Sequence, residues 1–542
     1  ALIDEKVPII VLAPHDALIQ MTLGQTFAKR GTPAFAEQAF ANALKQRPEL
    51  HKARVLLAEL LLNEKRSAEA EPHYRELLAV PEFAALAHVG VADAARAQDR
   101  LEDAVAGYRA ALALDPAQVT PTRALAWTLA RLGRHDEAFA AYDACLAQLP
   151  GDDALLRARA DLMMLVGRLP EAALAWKELL DRNAGDLEAR SRFAIVAEYL
   201  GHPESAQAHA ELVLRARPDD PEMQLIHIRA LLRAGDDAGV RAALETLGRK
   251  PLGEGQSRLA WNYLGRVHDR AREAAEAVHC FAEAQRGMPA DIPALPEPGP
   301  ELRGALAGAM DAPWAQAPVL LLGTPGSGVE RVAALLADQP QLIVLRDRIG
   351  AMLRDDDFNR PRFAHYCAEL DAADRAALRE RWLAPLRARG VEPDRPVVDW
   401  LPRWDAHLLA LVRRAMPGTR LVIVERDPRD ALLNWLAFGW APGFPCVEPE
   451  AAALWLQRAR AHLAFAAELD EPRRFVVAAD PLLDDPAGAG GGLARFLGLA
   501  ALQPGAQAAA LAHGLGGLPA RFPAGHWQRY EDALAGAFRH LG

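Results

Sequence analysis

Long apolar runs are missing from this sequence. Nothing approaches the roughly 18 consecutive apolar residues that cross a bilayer, so no membrane span is expected. An excess of basic charge is missing too. Lys and Arg number 62 against 72 Asp and Glu, a formal charge of -10. That balance argues against a nucleic-acid binder, whose electrostatic footprint is positive. Cysteine is scarce: Cys145, Cys280, Cys367 and Cys446 are scattered without paired or metal-like spacing. Free thiols in a reducing compartment and no metal site are the expectation. The opening residues, ALIDEKVPIIVLAPHDA, lack the basic start and longer apolar core of a signal peptide. A cytoplasmic protein is expected, with room for an upstream segment because the chain starts without Met.

What is present begins with length. A chain of 542 residues exceeds what one compact core supports, so two or more domains are expected. The first half is periodic. Phe40, Tyr74, Tyr108, Tyr142 and Trp176 lie a constant 34 residues apart, and Ala36, Ala70, Ala104, Ala138, Ala172 and Ala206 keep the same step. Pro48, Pro116, Pro150 and Pro218 stand where a helix should stop, eight residues after an aromatic or its equivalent. Gly31, Gly133, Gly167, Gly201 and Gly235 mark turns between paired helices. The period and pattern resemble tetratricopeptide repeats, about eight of them over residues 1–290. Register lapses near TLGRKPLGEGQ and returns at Phe281 and Pro289. A helix pair cannot bury its apolar face alone, so neighbours stack into an all-α superhelix with a concave surface. A protein or peptide partner in that surface is the expectation; fixing a homodimer or spacing the domains is the alternative.

A Pro- and Ala-rich stretch, residues 291–312, breaks the pattern and reads as a linker. Beyond it, over 313–542, PVLLLG, RPVVDWL, RLVIVERD and RRFVVAAD are strand candidates separated by helical patterns. That alternation predicts an α/β domain with a parallel sheet. Ligands on such sheets bind at the carboxyl ends of the strands, where GTPGSG and ERDPRD both fall.

Gly323 and Gly328 have the spacing of a P-loop, but Val329 and Glu330 stand where Lys and a hydroxyl residue would follow. Without them a kinase or ATPase is disfavoured. The backbone amides at a helix N-terminus still suit an anion.

The second motif adds Arg426, Asp427, Pro428, Arg429 and Asp430 between a strand and a helix. With it, and with RFLGL and AGHWQRYED later in the chain, residues from Pro318 onward resemble the sulfotransferase family. Bacterial members of that kind carry tetratricopeptide repeats before the sulfotransferase domain. The resemblance implies the cofactor 3′-phosphoadenosine 5′-phosphosulfate (PAPS), with adenosine 3′,5′-bisphosphate as its product, and no metal. It implies a P-loop-like sheet domain that moves a sulfuryl group to a hydroxyl acceptor, such as one on a protein held by the repeats. Carried over by position, Gly323, Pro325, Gly326, Ser327, Gly328 and Val329 form the 5′-phosphosulfate loop. Arg426 and Asn434 hold the 3′-phosphate, Arg429 supports that loop, Trp527 and Arg529 close over the nucleotide, and Asp347 is the base. Departures fall on the chemistry: Gly326 replaces the family's loop cation, and Trp400 replaces its Lys. Arg331, Arg346, Arg348 and Arg403 are the replacements within reach in sequence. The alternative is a catalytically impaired relative acting as a protein-binding scaffold or nucleotide-binding module.

Overall fold

A computed structural model describes residues 16–249, 251–290, 292, 294–295, 312–345, 370–387, 392–402, 404–441, 443–467, 473–512 and 514–542. The chain divides into two compact units, Ala1–Val196 and Ala197–Gly542.

The described residues of the first unit form helical hairpins: α1 (Ala17–Lys29), α2 (Pro33–Gln46), α3 (His51–Asn63), α4 (Ser67–Leu77), α5 (Ala84–Ala97), α6 (Leu101–Leu114), α7 (Val119–Arg131), α8 (His135–Gln148), α9 (Asp153–Leu165) and α10 (Leu169–Arg182). Helix α11 (Leu187–Tyr199) runs across the division. The aromatic of each second helix is a buried knob, from Phe40 to Trp176. It meets a small residue on the facing first helix: a Cβ on Gly24 would come within 2.5 Å of the Phe40 ring, which is why that position is small. Turns between the paired helices need a left-handed residue. Gly133 supplies it at φ 74°, whereas Lys65 takes the same conformation at φ 61°.

The second unit continues the hairpins with α12 (Pro203–Ala216), α13 (Pro221–Ala234), α14 (Asp237–Leu247), α15 (Glu254–Arg270) and α16 (Ala274–Gln285). In α15 a Cβ on Gly265 would collide with Phe281, so the knob-and-small-residue pair returns sixteen positions apart, as for Gly24 and Phe40. Helix α15 has 17 residues against 14 in α13, and this lengthening accounts for the lapse of register.

A five-stranded sheet follows: β1 (Val319–Gly323), β2 (Ile343–Leu345), β3 (Val397–Trp400), β4 (Arg420–Glu425) and β5 (Arg474–Ala478), in the order β2-β3-β1-β4-β5. Every neighbouring pair is parallel. Four strands match the sequence candidates; the three-residue edge strand β2 is the addition. Between and after them run α17 (Val329–Ala337), α18 (Ala372–Arg387), α19 (Ala406–Ala415), α20 (Pro428–Phe438), α21 (Pro449–Ala467), α22 (Ala479–Asp484), α23 (Pro486–Ala489), α24 (Gly491–Leu497), α25 (Ala506–Ala512) and α26 (Ala535–Phe538). β1 is buried along its whole length, as a central strand covered on both faces should be. Apolar clusters lie on each side, one around Leu320, Leu322, Leu409 and Ile423, the other around Leu321, Val332, Val422 and Leu497.

Within this unit the last repeats and the sheet domain share one core. Phe281 of α16 packs with Leu432, Trp435 and Phe522. Polar side chains stitch the same junction. Gln285 Nε2 donates to Trp435 O (2.9 Å) while its Oε1 accepts from Cys446 N (2.8 Å), and Asn262 Nδ2 donates to Ala437 O (2.5 Å). Cys145, Cys280 and Cys446 are free and buried. No helix among the described residues is long and apolar enough to cross a membrane.

Candidate functional site

β1 delivers the chain into Thr324–Gly328, and α17 begins at Val329 with Gly328 as its left-handed N-cap, φ 85°. The sequence therefore builds a strand, a tight turn and a helix N-terminus, the arrangement that gathers backbone N–H groups around an anion. Every residue from Gly323 to Val329 is buried. Ser327 Oγ is buried and has no hydrogen-bond partner among the described residues.

Gly326 sits where a side chain has no room. Its φ is 72°, and a Cβ built there would lie 1.9 Å from Ala431 O and 2.8 Å from Trp435 N, both in the backbone of α20. The loop lies flush on that helix, so no side chain of any kind fits at 326. A basic side chain at 326 is thus excluded by how loop and helix pack.

β4 ends at Glu425, and Arg426 follows with its side chain 2% exposed. Its Nε donates to Asp480 Oδ2 (3.0 Å), and one Nη donates to Phe522 O (2.7 Å). The other Nη reaches Gly326 O at 3.5 Å, the outer limit of a hydrogen bond. Asp480 also accepts from Arg521 through Oδ1 (2.7 Å), and Arg521 pairs with Asp484. Arg331 donates to Leu511 O and to Ala520 O (2.7 Å); burial pulls its guanidinium below the ordinary range. Asn434 is turned inward, donating to Asp430 O (2.7 Å) and accepting from Phe522 N (2.9 Å).

These contacts identify a strap, Gly514–Tyr530, that crosses the loops at the carboxyl edge of β1 and β4. Asp430 fastens its far end by accepting from Gly525 N (2.6 Å) and Trp527 N (3.0 Å). Burial raises the Asp430 carboxyl, opposed by those two amides. The repeats hold the other side. Arg233 donates to Gly516 O (2.6 Å) and Arg266 to Pro519 O (2.8 Å). Asp269 accepts from Tyr530 Oη and pairs with His526 Nε2, each at 2.8 Å.

The space left beside Ser327, among Gly326, Gly328, Glu330, Arg426 and Arg521, is about 20 Å³. That is room for one water. Arg426 and Arg521 are paired with Asp480 and Asp484, and Arg331 lies 3.7 Å from Glu330. Glu330 has a 32% exposed side chain, yet its Oε2 is buried without a partner among the described residues, and burial raises its pKa. The space itself suits a water or a small anion.

Of the residues singled out in the sequence, Gly326, Ser327, Gly328, Arg426 and Asn434 line this one space; Gly323, Pro325 and Val329 belong to the same strand-to-helix turn. Trp527 does not line it: its ring lies under Arg429, 3.5 Å from guanidinium carbon to ring centroid. Arg429 also donates to Asp427 Oδ2 (2.7 Å). Arg529 acts electrostatically on Asp269 and Tyr530. Asp347, Arg346, Arg348 and Arg403 lie outside the described residues. Sequence reasoning missed Asp480 and Arg521. Asp480 had a signal, as the carboxylate that closes RRFVVAAD; Arg521, in an irregular segment, had none.

Comparisons with known proteins concern the repeats. Models of the tetratricopeptide repeat match residues 119–162 and residues 21–87, 66–119 and 191–253. The chain therefore carries tetratricopeptide repeats. Among solved structures, a tetratricopeptide repeat protein from Parabacteroides merdae is 16% identical over 49% of this chain and 91% of its own, with a TM-score of 0.33. TTC0263 of Thermus thermophilus is 24% identical over 33% and 98%, TM-score 0.27, and pilF of Pseudomonas aeruginosa 18% over 38% and 95%, TM-score 0.31. No curated protein matches the chain.

Proposed function

We propose that this protein is an interaction scaffold: tetratricopeptide repeats that bind a protein or peptide, joined to a sulfotransferase-like domain whose cofactor loops serve structure. One observation carries the reading. Arg426, the cation on which a 3′-phosphate would depend, is buried and already satisfied by Asp480 and Phe522 O. Breaking such a buried pair without replacing it costs about 3–5 kcal/mol, which an incoming nucleotide would have to offset.

The test has two parts on the full chain. Photoreactive residues placed singly at the exposed positions Phe35, Leu114, Leu165 and Leu174 should yield specific protein adducts in cells. Absence of adducts at every position would sink the scaffold. Calorimetric titration with adenosine 3′,5′-bisphosphate should give no binding heat.

A second reading keeps the enzyme, a PAPS-dependent sulfotransferase acting on a hydroxyl acceptor with Asp347 as base. The unpartnered Ser327 hydroxyl beside a helix N-terminus favours it, because a buried polar group without a partner is costly unless a ligand meets it. That reading requires the strap to swing away. Micromolar binding of the bisphosphate, selective over ATP and lost in Arg426→Ala, would establish it in place of the closed cradle.

A further inference from the structure

The C-terminal repeats already hold a segment of their own chain. The turn at the start of the strap sits so close over Glu198 and Arg229 that a Cβ on Gly516 would come within 2.8 Å of each side chain. Those two are a buried ion pair. Arg233 and Arg266 catch the carbonyls of Gly516 and Pro519. Leu518 is the apolar anchor, packed among Leu225, Ile228, Leu232, Tyr263 and Val267.

The repeat period locates the same place elsewhere in the array. Three 34-residue periods earlier, Arg96 stands for Glu198, Arg123 for Leu225, Trp127 for Arg229 and Arg131 for Arg233. Arg96, Arg123, Trp127, Asp161, Leu162 and Leu165 border a groove of about 380 Å³ within the N-terminal unit. Here the position is open: Trp127 is 43% exposed and Leu165 69%. Its volume falls in the range of ligand sites.

The substitutions between the two copies change the chemistry of what fits. In the filled copy Glu198 and Arg229 cancel, and the strap brings only carbonyls and a leucine. In the open copy Arg96 is tied to Asp93 (3.1 Å), Arg131 to Asp99 (2.7 Å) and Asp161 to Arg192 (3.4 Å). Arg123 is exposed and makes no ion pair or hydrogen bond among the described residues. An exposed guanidinium with no direct ion pair, its charge felt by Asp161, therefore stands beside a floor of Leu162, Leu165 and Trp127, whose ring Arg131 also faces at 5.0 Å.

We propose that this groove takes an extended segment of a partner protein, which sets a large apolar side chain against Trp127 and Leu162 and an acidic side chain against Arg123. The inference rests on the scaffold reading and names the class of partner.

The probe is a fluorescein-labelled nonapeptide, GELGDLPEG, acetylated and amidated at its ends and followed by anisotropy with the full chain. Controls are the charge-reversed GKLGKLPKG, the anchorless GESGDSPEG and a free-acid form of the first peptide. The acidic peptide should bind about tenfold or more tighter than either sequence control, whether its terminus is amidated or free. Arg123→Glu should transfer the preference to the basic peptide, a reversal that a misfolded variant cannot produce. Trp127→Ala should weaken every peptide that carries leucine by about tenfold. Absence of binding, indifference to peptide charge, tight binding retained by Arg123→Glu, or dependence on a free C-terminal carboxylate would each overturn the assignment. The scaffold reading would survive those results, because the crosslinking above does not depend on partner chemistry.

Discussion

Gly326 separates a missing cation from a forbidden one. In a loop that merely lost its Arg or Lys, restoring the residue should help an anion bind. Here φ is positive and the α20 backbone occupies the place of a Cβ. A non-glycine residue in the left-handed region costs about 1–2 kcal/mol, and the steric overlap adds to it. Gly326→Lys is therefore expected to lower stability by about 3 kcal/mol or more, read as a fall in the urea midpoint, with no gain in affinity for adenosine 3′,5′-bisphosphate. Gly326→Ala should cost nearly as much, since the clash begins at Cβ. A Lys variant as stable as the parent would mean that the loop stands off the helix. Its neighbour Ser327 raises the opposite expectation, because nothing in the fold explains that buried hydroxyl as well as a bound water or anion would.

The strap is fixed at the element level by groups far apart in sequence, and Asp269 is its most exacting contact. Burial alone would raise the Asp269 carboxyl, but the hydrogen bond and charge of His526, with Tyr530 and Arg529, outweigh it and lower the pKa below the ordinary carboxylate value. A depressed folded-state pKa means stability present above the unfolded value, near 3.9, and lost as pH falls through the folded one. Asp269→Ala should remove that contribution and leave two buried partners unmatched, at about 1–3 kcal/mol. The loss should be largest near neutrality and shrink below about pH 4. Hydrogen exchange should then quicken between Gly514 and Tyr530 in the variant; unchanged protection there would show that the strap is held by its apolar contacts. Only the end of the strap, AGHWQRYED, stood out in the sequence; its contacts did not. The strap has no period, and its meaning lies in carbonyls caught by Arg233 and Arg266 more than two hundred residues upstream. The repeat turns, by contrast, were legible because each follows from its own hairpin. Lys65 carries no such signal, because it adopts a glycine's conformation without being one.

For the molecule as a whole, the sequence texture changes at 291–312, and a boundary there is the natural reading of its Pro and Ala content. Composition records where the chain changes style; it does not record which surfaces are shared. The second compact unit begins near Ala197. Helices α15 and α16 supply Asn262, Asp269, Phe281 and Gln285 to the sheet domain. A fragment starting at residue 313 would lose all four, expose the apolar surface around Leu432, Trp435 and Phe522, and strand the carbonyls of Trp435 and Ala437. Exposed patches of that kind lead to aggregation. A fragment starting at Leu187 keeps these groups, and it keeps Glu198 opposite Arg229, a bidentate pair with both side chains nearly sealed from solvent. The 187–542 fragment should unfold in one cooperative transition with the strap protected, while the 313–542 fragment should be recovered insoluble or molten. Equal folding of both, by thermal melting and near-ultraviolet circular dichroism, would make the repeats a passive neighbour of the sheet domain. Failure of the shorter fragment alone would make them part of its core, and would confine partner binding to the repeats whose grooves the chain has not already filled.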